Sequence, residues 1–178
     1  MHSVVIVPFT LELNDALQQH LQRHRAESGR GDIHFMPFAP DEEEGPRFIT
    51  LEKAFLPLDQ PGWQRWFCAR EKNSGEIIGH VDLKGDGLRT GLHRCELGIG
   101  IERAWRGKGL GERLMQAAID FAKAQPGLCW LDLKHFAHNR KAAALYQRLG
   151  FQQLGVMPDR FRVAGQSIDD VLMTLPLR

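Results

Sequence analysis

The 178-residue chain has little of several features that mark specialised classes of protein. Its three cysteines are an odd number at wide spacing, which favours reduced, buried thiols in a cytoplasmic protein over a disulfide framework. No apolar run approaches the length of a membrane span, and the first residues lack the basic and apolar segments of a secretion signal. The net charge is only +1, so the clustered basic excess of nucleic-acid-binding proteins is missing. We therefore expect neither a membrane nor a nucleic acid as a partner.

The composition that is present is ordinary for a globular protein, with 43% hydrophobic and 25% charged residues. A chain of this length can bury a sound core without metals or disulfides, so a single domain over residues 1–178 is expected. The cysteines Cys68, Cys95 and Cys129 each lie in an apolar, strand-like run. A nucleophilic role is the alternative for them, but no neighbouring residue indicates a lowered thiol pKa.

Three glycines within five residues mark the boundary between a predicted strand, residues 96–101, and a predicted helix, residues 110–124. The loop between them reads Arg106-Gly107-Lys108-Gly109-Leu110-Gly111. Glycine lets main-chain amides approach a ligand closely, and a helix N-terminus adds unpaired donors and partial positive charge. These amides, with the two basic side chains beside them, predict a phosphate or pyrophosphate site. A tight basic turn without a ligand is the alternative.

The loop does not match two common nucleotide motifs. The dinucleotide fingerprint needs a third glycine where this chain has Glu112 or Leu114, and a Walker-type loop needs Ser or Thr where it has Gly109. The order that is present is Arg-x-x-Gly-x-Gly after an apolar strand that ends near Ile101 and Trp105. This arrangement resembles the pyrophosphate loop of the GCN5-related N-acetyltransferases (GNAT), which bind acetyl-coenzyme A.

A second stretch carries the same resemblance independently. Residues 139–151 read Asn-Arg-Lys-Ala-Ala-Ala-Leu-Tyr-Gln-Arg-Leu-Gly-Phe. This run is similar, position for position, to the later GNAT motif Asn-x-x-Ala-x-x-Leu-Tyr-x-x-x-Gly-Phe. The two motifs occur in the family's order and at about its separation, and the resemblance covers roughly residues 75–176.

The pattern of apolar residues and turn signals predicts a mixed α/β fold. Three consecutive strands with short connections, residues 63–70, 76–83 and the strand around Glu96, indicate an antiparallel meander. The other expected elements are a strand at 4–7, helices at 11–25 and 41–55, a helix at 110–124, strands at 128–133, 151–156 and 168–175, and a helix between Asn139 and Gly150. In the first helix the leucines form one face and the histidines lie elsewhere. The resemblance implies a largely antiparallel twisted sheet flanked by helices, in which the central parallel strands near 94–102 and 128–134 splay apart.

The resemblance also implies which residues hold acetyl-CoA. The pantetheine arm would lie in the gap between the splayed strands, against the main chain of Ile99, Gly100 and Ile101. The loop residues Arg106 to Gly111 would hold the pyrophosphate, chiefly through the amides of Gly107, Gly109, Leu110 and Gly111, with Lys108 adding positive charge. Asn139, Ala142 and Tyr146 would line the other side, and no metal is expected.

The implied chemistry is direct transfer of acetyl from the thioester to an amine, which needs a base for the amine and an acid for the departing thiolate. Tyr146, the only tyrosine beside ten phenylalanines, stands at the family's position for the acid; a core tyrosine is the alternative. Glu96 is the candidate base, slightly ahead of His80, His93 and His135. His135-x-x-His138 lacks a third ligand at matching spacing, so a structural zinc is not expected.

The substrate side remains open at the level of sequence. The acidic run 41–44 either starts a helix, through the helix dipole, or draws in a cationic amine. The expected function is an N-acetyltransferase acting on a small molecule, a lysine or a protein N-terminus, and a homodimer is compatible with it. The alternatives are a non-catalytic acyl-CoA-binding module and, less favoured, a nucleotide-binding protein.

Overall fold

A computed structural model describes residues 4–39 and 51–178. Seven strands form one sheet in the order β1-β2-β3-β4-β5-β7-β6. The strands are β1 (Val4–Pro8), β2 (Gln64–Glu71), β3 (Ile77–Gly85), β4 (Arg94–Ile101), β5 (Trp130–Phe136), β6 (Gln152–Val163) and β7 (Gln166–Pro176). The helices are α1 (Asn14–Glu27), α2 (Leu51–Ala54), α3 (Leu110–Lys123) and α4 (Arg140–Arg148). The mixed α/β architecture expected from the sequence is therefore confirmed.

The sheet is antiparallel throughout except at its centre, where β4 pairs with β5 in parallel. The parallel pairing joins residues 94–97 of β4 to residues 130–133 of β5. Beyond these residues both strands continue but are no longer paired with each other. The predicted meander is β2-β3-β4, and the predicted splay of the central pair begins after Leu97. A gap in the sheet therefore opens at the end of β4 that leads into the glycine loop.

Two clusters of buried side chains hold the helices to the two faces of the sheet. The larger cluster packs α3 and α4 on one face, with Leu114, Met115 and Tyr146 among its members. The smaller one includes Leu17 and Leu21 of α1, which pack on the other face. The apolar stripe of α3 is the helical periodicity that the sequence predicted. The site between the splayed strands thus has α3 and α4 on one side and α1 on the other.

The N-terminal half differs in detail from the sequence-based expectation. Helix α1 begins at Asn14, after a 3-10 turn at Leu11–Leu13, and runs to Glu27. His20 and His24 are buried, 0% and 5% exposed, so the expectation that the histidines lie off the buried face was wrong. The leucine pattern carries no signal for these rings, because the burial of His20 depends on polar partners from distant segments.

Other boundaries also shifted. The final two strands are longer than predicted and continue to a turn at Ala164 and Gly165, where both residues adopt a positive φ. Of the predicted second helix, the described part is α2, and the acidic run 41–44 lies outside the described residues. Within residues 4–39 and 51–178, none of the helices is both long enough and apolar enough to cross a bilayer.

Candidate active site

The glycine loop presents main-chain amides at the start of α3. Gly107 and Gly109 have φ values of 73° and 74°, which disfavour any residue with a Cβ. A Cβ built on either glycine would have no heavy atom of the described residues within 4 Å, so space is open beside both. Gly109 is the N-cap of α3. Because it has no side chain, no capping group accepts a hydrogen bond from the first amides of the helix. Unpaired donors beside open space fit a diphosphate.

Gly111 is needed for close packing, whereas Gly107 and Gly109 are needed for their left-handed backbone conformation. A Cβ there would lie 3.1 Å from Leu145 Cδ2 and 3.5 Å from Ile101 Cδ1. This glycine therefore lets the first turn of α3, including the buried Leu110, pack closely against α4 and the end of β4. The close packing fixes the direction in which the α3 amides point.

Arg106 is partly buried and anchors the loop through its guanidinium. Its Nε donates to the carbonyl oxygen of Ile101 at 2.8 Å, and its other nitrogens form ion pairs with Asp32 and with Glu27. The ring of Phe35 lies 5.1 Å from the guanidinium carbon. Arg106 is thus engaged by the segment after α1, and a direct contact with phosphate stays a prediction. Lys108, in contrast, is exposed; its Nζ donates to Ala104 O at 2.9 Å.

The end of β4 supplies the wall of the gap. Glu102 N donates to Ile78 O of β3, so the alternation of a strand turns the main-chain groups of Gly100 toward β3 and those of Ile99 and Ile101 toward the gap. The Ile101 carbonyl is taken by Arg106, as described above. The sequence-based expectation that Ile99 and Ile101 line a pantetheine arm fits this geometry, while Gly100 contributes through its lack of a side chain.

Helix α4 lines the other side of the gap. Asn139 is its N-cap, and Oδ1 accepts a hydrogen bond from Ala142 N at 3.2 Å, as the sequence predicted. Tyr146 is only 6% exposed, and its ring centroid lies 5.7 Å from that of His135 and 6.2 Å from that of Phe151. Burial raises the pKa of Tyr146 to about 12, so the hydroxyl keeps its proton at neutral pH.

The candidate base Glu96 lies on β4 before the gap. Its carboxylate receives a hydrogen bond from Lys134 Nζ at 2.7 Å, and both side chains are 50% exposed. Glu96 faces Lys84 of β3 in the register and Asp132 of β5. It is therefore a solvated carboxylate at the mouth of the gap, next to a lysine.

The three histidines considered as rival bases, His80, His93 and His135, are dispersed, and so is His138, which was considered with His135 as a metal ligand. The His93 carbonyl accepts from the amides of Cys129 and Trp130, and the His93 side chain lines a cavity at the opposite end of β4, together with Gln125 and Pro126. His135 packs on Tyr146, and His138 hydrogen-bonds the His34 carbonyl at 2.6 Å. Among residues 4–39 and 51–178, no group of three His, Cys, Asp or Glu side chains is arranged to hold a metal ion.

His80 belongs to a buried polar cluster that the sequence did not reveal. His80 and Asp82 alternate along β3, 5% and 4% exposed, on the face that α1 covers. His20 and Glu102 complete the cluster through hydrogen bonds, and His24 stacks beside them. The sequence signal for this cluster is the presence of glycine at two alternate positions of β4, Gly98 and Gly100, because glycines leave room for these side chains.

The side chains of the cluster fill the space that a Cβ at Gly98 or Gly100 of β4 would take. A Cβ at Gly98 would lie 2.7 Å from Asp82 Oδ1, and a Cβ at Gly100 would lie 2.6 Å from the rings of His24 and His80. These separations are too short for real contacts, so only glycine permits the arrangement. Asp82 consequently lies over the main chain at the position where β4 leaves β5.

Burial controls the protonation of this cluster. It lowers the pKa of His24 to about 3 and lowers the pKa of His80 well below its ordinary value. Burial likewise raises the pKa of Asp82, although Lys84 opposes this. Burial alone would raise the pKa of Glu102, but hydrogen bonds from His20 and Arg23 bring it below the ordinary value.

The cysteines do not take part in this site. All three are free thiols, with Cys68 and Cys95 buried and Cys129 half-buried. Burial raises the pKa of Cys68 and of Cys95 to about 12, which is the reverse of what a nucleophile needs. Packing is therefore the role of these two side chains.

Comparisons with known proteins agree with this geometry. The model of the "Acetyltransferase (GNAT) family" matches residues 32–151, more than half of the chain. The [ribosomal protein uS5]-alanine N-acetyltransferase of Escherichia coli is 31% identical over 147 residues, which cover 80% of this chain and 75% of the relative. An L-methionine sulfoximine/L-methionine sulfone acetyltransferase of Pseudomonas paraeruginosa is 32% identical over 136 residues, or 68% of this chain and 76% of the relative.

Solved structures share the fold over nearly the whole chain. A GNAT-family acetyltransferase from Streptococcus pneumoniae has a TM-score of 0.82 at 25% identity, covering 98% of this chain and 99% of that one. The yncA protein of Salmonella typhimurium, solved with its cofactor acetyl-CoA, has a TM-score of 0.77 at 18% identity, covering 98% and 94%. The chain thus belongs to the GNAT family of acetyltransferases, as an acetyl-CoA-dependent N-acetyltransferase.

Proposed function

We propose that this N-acetyltransferase acts on a primary amine that enters from the α1 side of the sheet and meets the acetyl group at the end of the β4–β5 pairing. The observation that carries the proposal is the uncapped N-terminus of α3, beside two left-handed glycines and next to splayed strands. Acetyl-CoA, when bound, supplies an acetyl thioester. The residues that would hold it are the loop 106–111, the end of β4, and the start of α4.

Tyr146 is proposed as the acid that protonates the departing sulfur. It lies on α4 behind the gap, and its buried hydroxyl is protonated at any physiological pH. An acid with so high a pKa does not ionise before it is needed, and it protonates a thiolate only as that charge develops. Asn139 supports this role indirectly, because its cap on α4 fixes the helix that carries Tyr146.

Glu96 is proposed to attract the amine at the mouth of the gap and is the sequence-based candidate for the base. Its exposed carboxylate can exchange its Lys134 partner for a substrate ammonium, because ion pairs between exposed side chains are weak, about 0–1 kcal/mol. The negative charge then concentrates the protonated amine, and a base must remove one proton before attack.

The acceptor is proposed to be a primary amine of an amino acid or of a polypeptide. One relative acetylates an alanine of a ribosomal protein and another acetylates L-methionine sulfoximine or L-methionine sulfone, according to their names. Glu96 favours a cationic acceptor over a neutral one when the substrate takes the place of Lys134, whereas Asp132 is paired with Arg94 at 2.6 Å. We place the enzyme in the cytoplasm, in keeping with three unpaired cysteines.

The test combines binding with turnover. Titration calorimetry should give heat with acetyl-CoA and none with ATP, because the loop lacks both nucleotide fingerprints. Release of CoA is then measured with an alanine-initiated peptide, a lysine peptide, L-methionine sulfoximine and a polyamine. Binding without turnover on any amine would instead support an acyl-CoA-binding regulatory module. Light scattering decides between a monomer near 20.2 kDa and a homodimer.

A further inference from the structure

A series of polar side chains runs along β3 and β4 from Glu102 to Asp82. Glu102 Oε1 lies 2.8 Å from His20 Nδ1, and His20 Nε2 lies 2.9 Å from His80 Nδ1. The other nitrogen of His80, Nε2, lies 3.9 Å from Asp82 Oδ1. The series joins residues of α1, β3 and the end of β4. His20 lies 60 positions along the chain from His80 and 82 positions from Glu102.

The carboxylate at one end sets the direction of the first hydrogen bond. Glu102 has a lowered pKa and therefore only accepts, so His20 donates from Nδ1; a neutral His20 then keeps a lone pair on Nε2, whereas a doubly protonated His20 would donate from both nitrogens. With a neutral His20, His80 donates from Nδ1 to that lone pair, which leaves the lone pair of its own Nε2 facing Asp82. A neutral His80 can meet these requirements in one tautomer only.

The two ends of the series lie in different surroundings. Glu102 is 14% exposed in its side chain and also accepts from Arg23, which is 39% exposed. Asp82 is buried over the main chain of Gly98, where the sheet splays. The series therefore connects a charged pair near the surface with a carboxyl at the position proposed for acetyl transfer.

We propose that Asp82 accepts the proton of the acceptor amine and that Glu102, His20 and His80 position a hydrogen-bond acceptor for the protonated carboxyl. The inference rests on the acetyl transfer proposed above and assigns its base. Asp82 is the catalytic residue in this scheme, and the other three are positioning residues. The lone pair on His80 Nε2 receives the Asp82 proton when the side chain turns to close the 3.9 Å separation.

The physical reason is that this acceptor favours the protonated form of Asp82. A hydrogen bond to the neutral form of an acid raises its pKa, and so does burial, so the Asp82 carboxylate is a stronger base than an ordinary aspartate. An ordinary aspartate would hold a proton from an amine poorly near neutral pH. Burial raises the pKa of Asp82 and so brings it closer to the pKa of the amine.

The charged neighbours of Asp82 come from several elements. Lys84 Nζ on the same strand is 3.4 Å from Asp82 Oδ2 and favours the ionised form that must be present before the amine arrives. Glu96 on β4 favours the protonated form, as does the neutral state of His80. Farther along the series, Arg106 and Asp32 act on the pKa of His24, whose Nδ1 lies 3.8 Å from Glu27 Oε2.

The substrate ammonium gives one proton to Asp82, and the neutral amine forms a C–N bond to the acetyl carbon of the thioester. The C–S bond breaks, the sulfur takes the Tyr146 proton, and the second proton lost from nitrogen restores Tyr146. Asp82 passes its proton to water, so each transfer yields one amide, one thiol and one free proton.

The first experiment uses the free protein and needs no turnover. The side-chain ¹⁵N spectrum should show His80 protonated on Nδ1 and His20 protonated on Nδ1. A ¹³C carboxyl titration should show Asp82 with a pKa above that of an ordinary aspartate. His20→Asn keeps a donor near Glu102 but removes the link to His80, so the Asp82 pKa should fall in this variant. His24→Asn is the matched control, one helical turn away: burial holds the pKa of His24 at about 3, so its ring is neutral at neutral pH and its replacement should leave the Asp82 pKa nearly unchanged.

The second experiment uses the amine with the highest turnover in the CoA-release panel. Asp82→Asn should lower kcat by about 100-fold or more, at nearly unchanged acetyl-CoA affinity by calorimetry. His20→Asn should move the acidic limb of the kcat/KM profile to lower pH, with an about 3- to 10-fold loss at neutral pH, and His24→Asn should not move it.

Two results would overturn the inference while leaving the enzyme proposal intact. One is an ordinary Asp82 titration that His20→Asn does not alter. The other is full turnover of Asp82→Asn combined with a large loss in Glu96→Gln, which would return the base to Glu96. Loss of acetyl-CoA binding or of turnover in the unaltered protein would refute the enzyme proposal instead, and the titrations would still decide the positioning role.

Discussion

Arg106 Nε donates to the carbonyl oxygen of Ile101 at 2.8 Å, which ties the first residue of the glycine loop to the last residue of β4. The same guanidinium pairs with Asp32 and Glu27 from the segment at the end of α1. The basic residue of the loop therefore connects three parts of the chain. Its position depends on carboxylates that lie more than 70 residues earlier.

The first prediction concerns Arg106→Gln. This variant loses two ion pairs and a hydrogen bond from a partly buried group, so the free energy of unfolding should fall by about 1–3 kcal/mol. Acetyl-CoA affinity should also fall because the loop loses its anchor. Lys108→Gln is the comparison for stability, since Lys108 is exposed and should change unfolding by less than about 0.5 kcal/mol. Equal effects in urea denaturation would contradict the anchoring role.

The second prediction concerns Gly109→Val. A branched residue at φ 74° is strained, and its side chain enters the space beside the α3 amides, so acetyl-CoA binding should be lost. Gly127→Val is the matched control: its Cβ would also meet no described heavy atom within 4 Å, and its φ is not in the left-handed region. Calorimetry on both variants is the measurement. Retained affinity in Gly109→Val would mean that the loop does not hold the diphosphate.

The third prediction concerns Tyr146→Phe. The phenol is the proposed proton donor to sulfur, so kcat should fall by about 10- to 100-fold while acetyl-CoA affinity stays nearly intact. The ring contacts with His135 and Phe151 are available to phenylalanine as well, so stability should change little. Unchanged turnover would remove Tyr146 from the mechanism.

The fourth prediction is a pH dependence of stability from His24. Burial holds its pKa at about 3 in the folded protein against an ordinary value of 6.5, so between these values the unfolded chain binds the extra proton. Stability is therefore present above about pH 6.5 and is lost as the pH falls toward 3, with a slope of at most about 1.4 kcal/mol per pH unit for this group.

His80 adds to this slope and Asp82 opposes it. The lowered pKa of His80 has the same sign as that of His24. The raised pKa of Asp82 instead contributes stability at low pH that is lost as the pH rises above its ordinary value of 3.8. Urea denaturation of His24→Phe from pH 7 to pH 4 should show a shallower slope than the unaltered protein. An identical slope would mean that His24 is protonated in the fold.

Local sequence signals were sufficient for the elements that position the cofactor. The meander β2-β3-β4, helix α3 and the Asn139 cap follow from periodicity and end residues within each segment. The inward turn of Arg106 and the burial of His20 could not be predicted in this way, because their partners come from distant segments. Asp82 was missed for a related reason: on its own strand it has the pattern of a solvated polar residue, and only the glycine opposite it shows otherwise.

The two outer strand pairs of the sheet differ in how far apart their residues lie along the chain. At one side β6 and β7 form a hairpin that turns at Ala164 and Gly165, whereas at the other side Val4 of β1 pairs with Glu71 of β2. Closing a long loop costs more entropy than closing a short one, and pairings of distant residues slow folding. The hairpin can therefore form early and locally, while the N-terminal strand docks late.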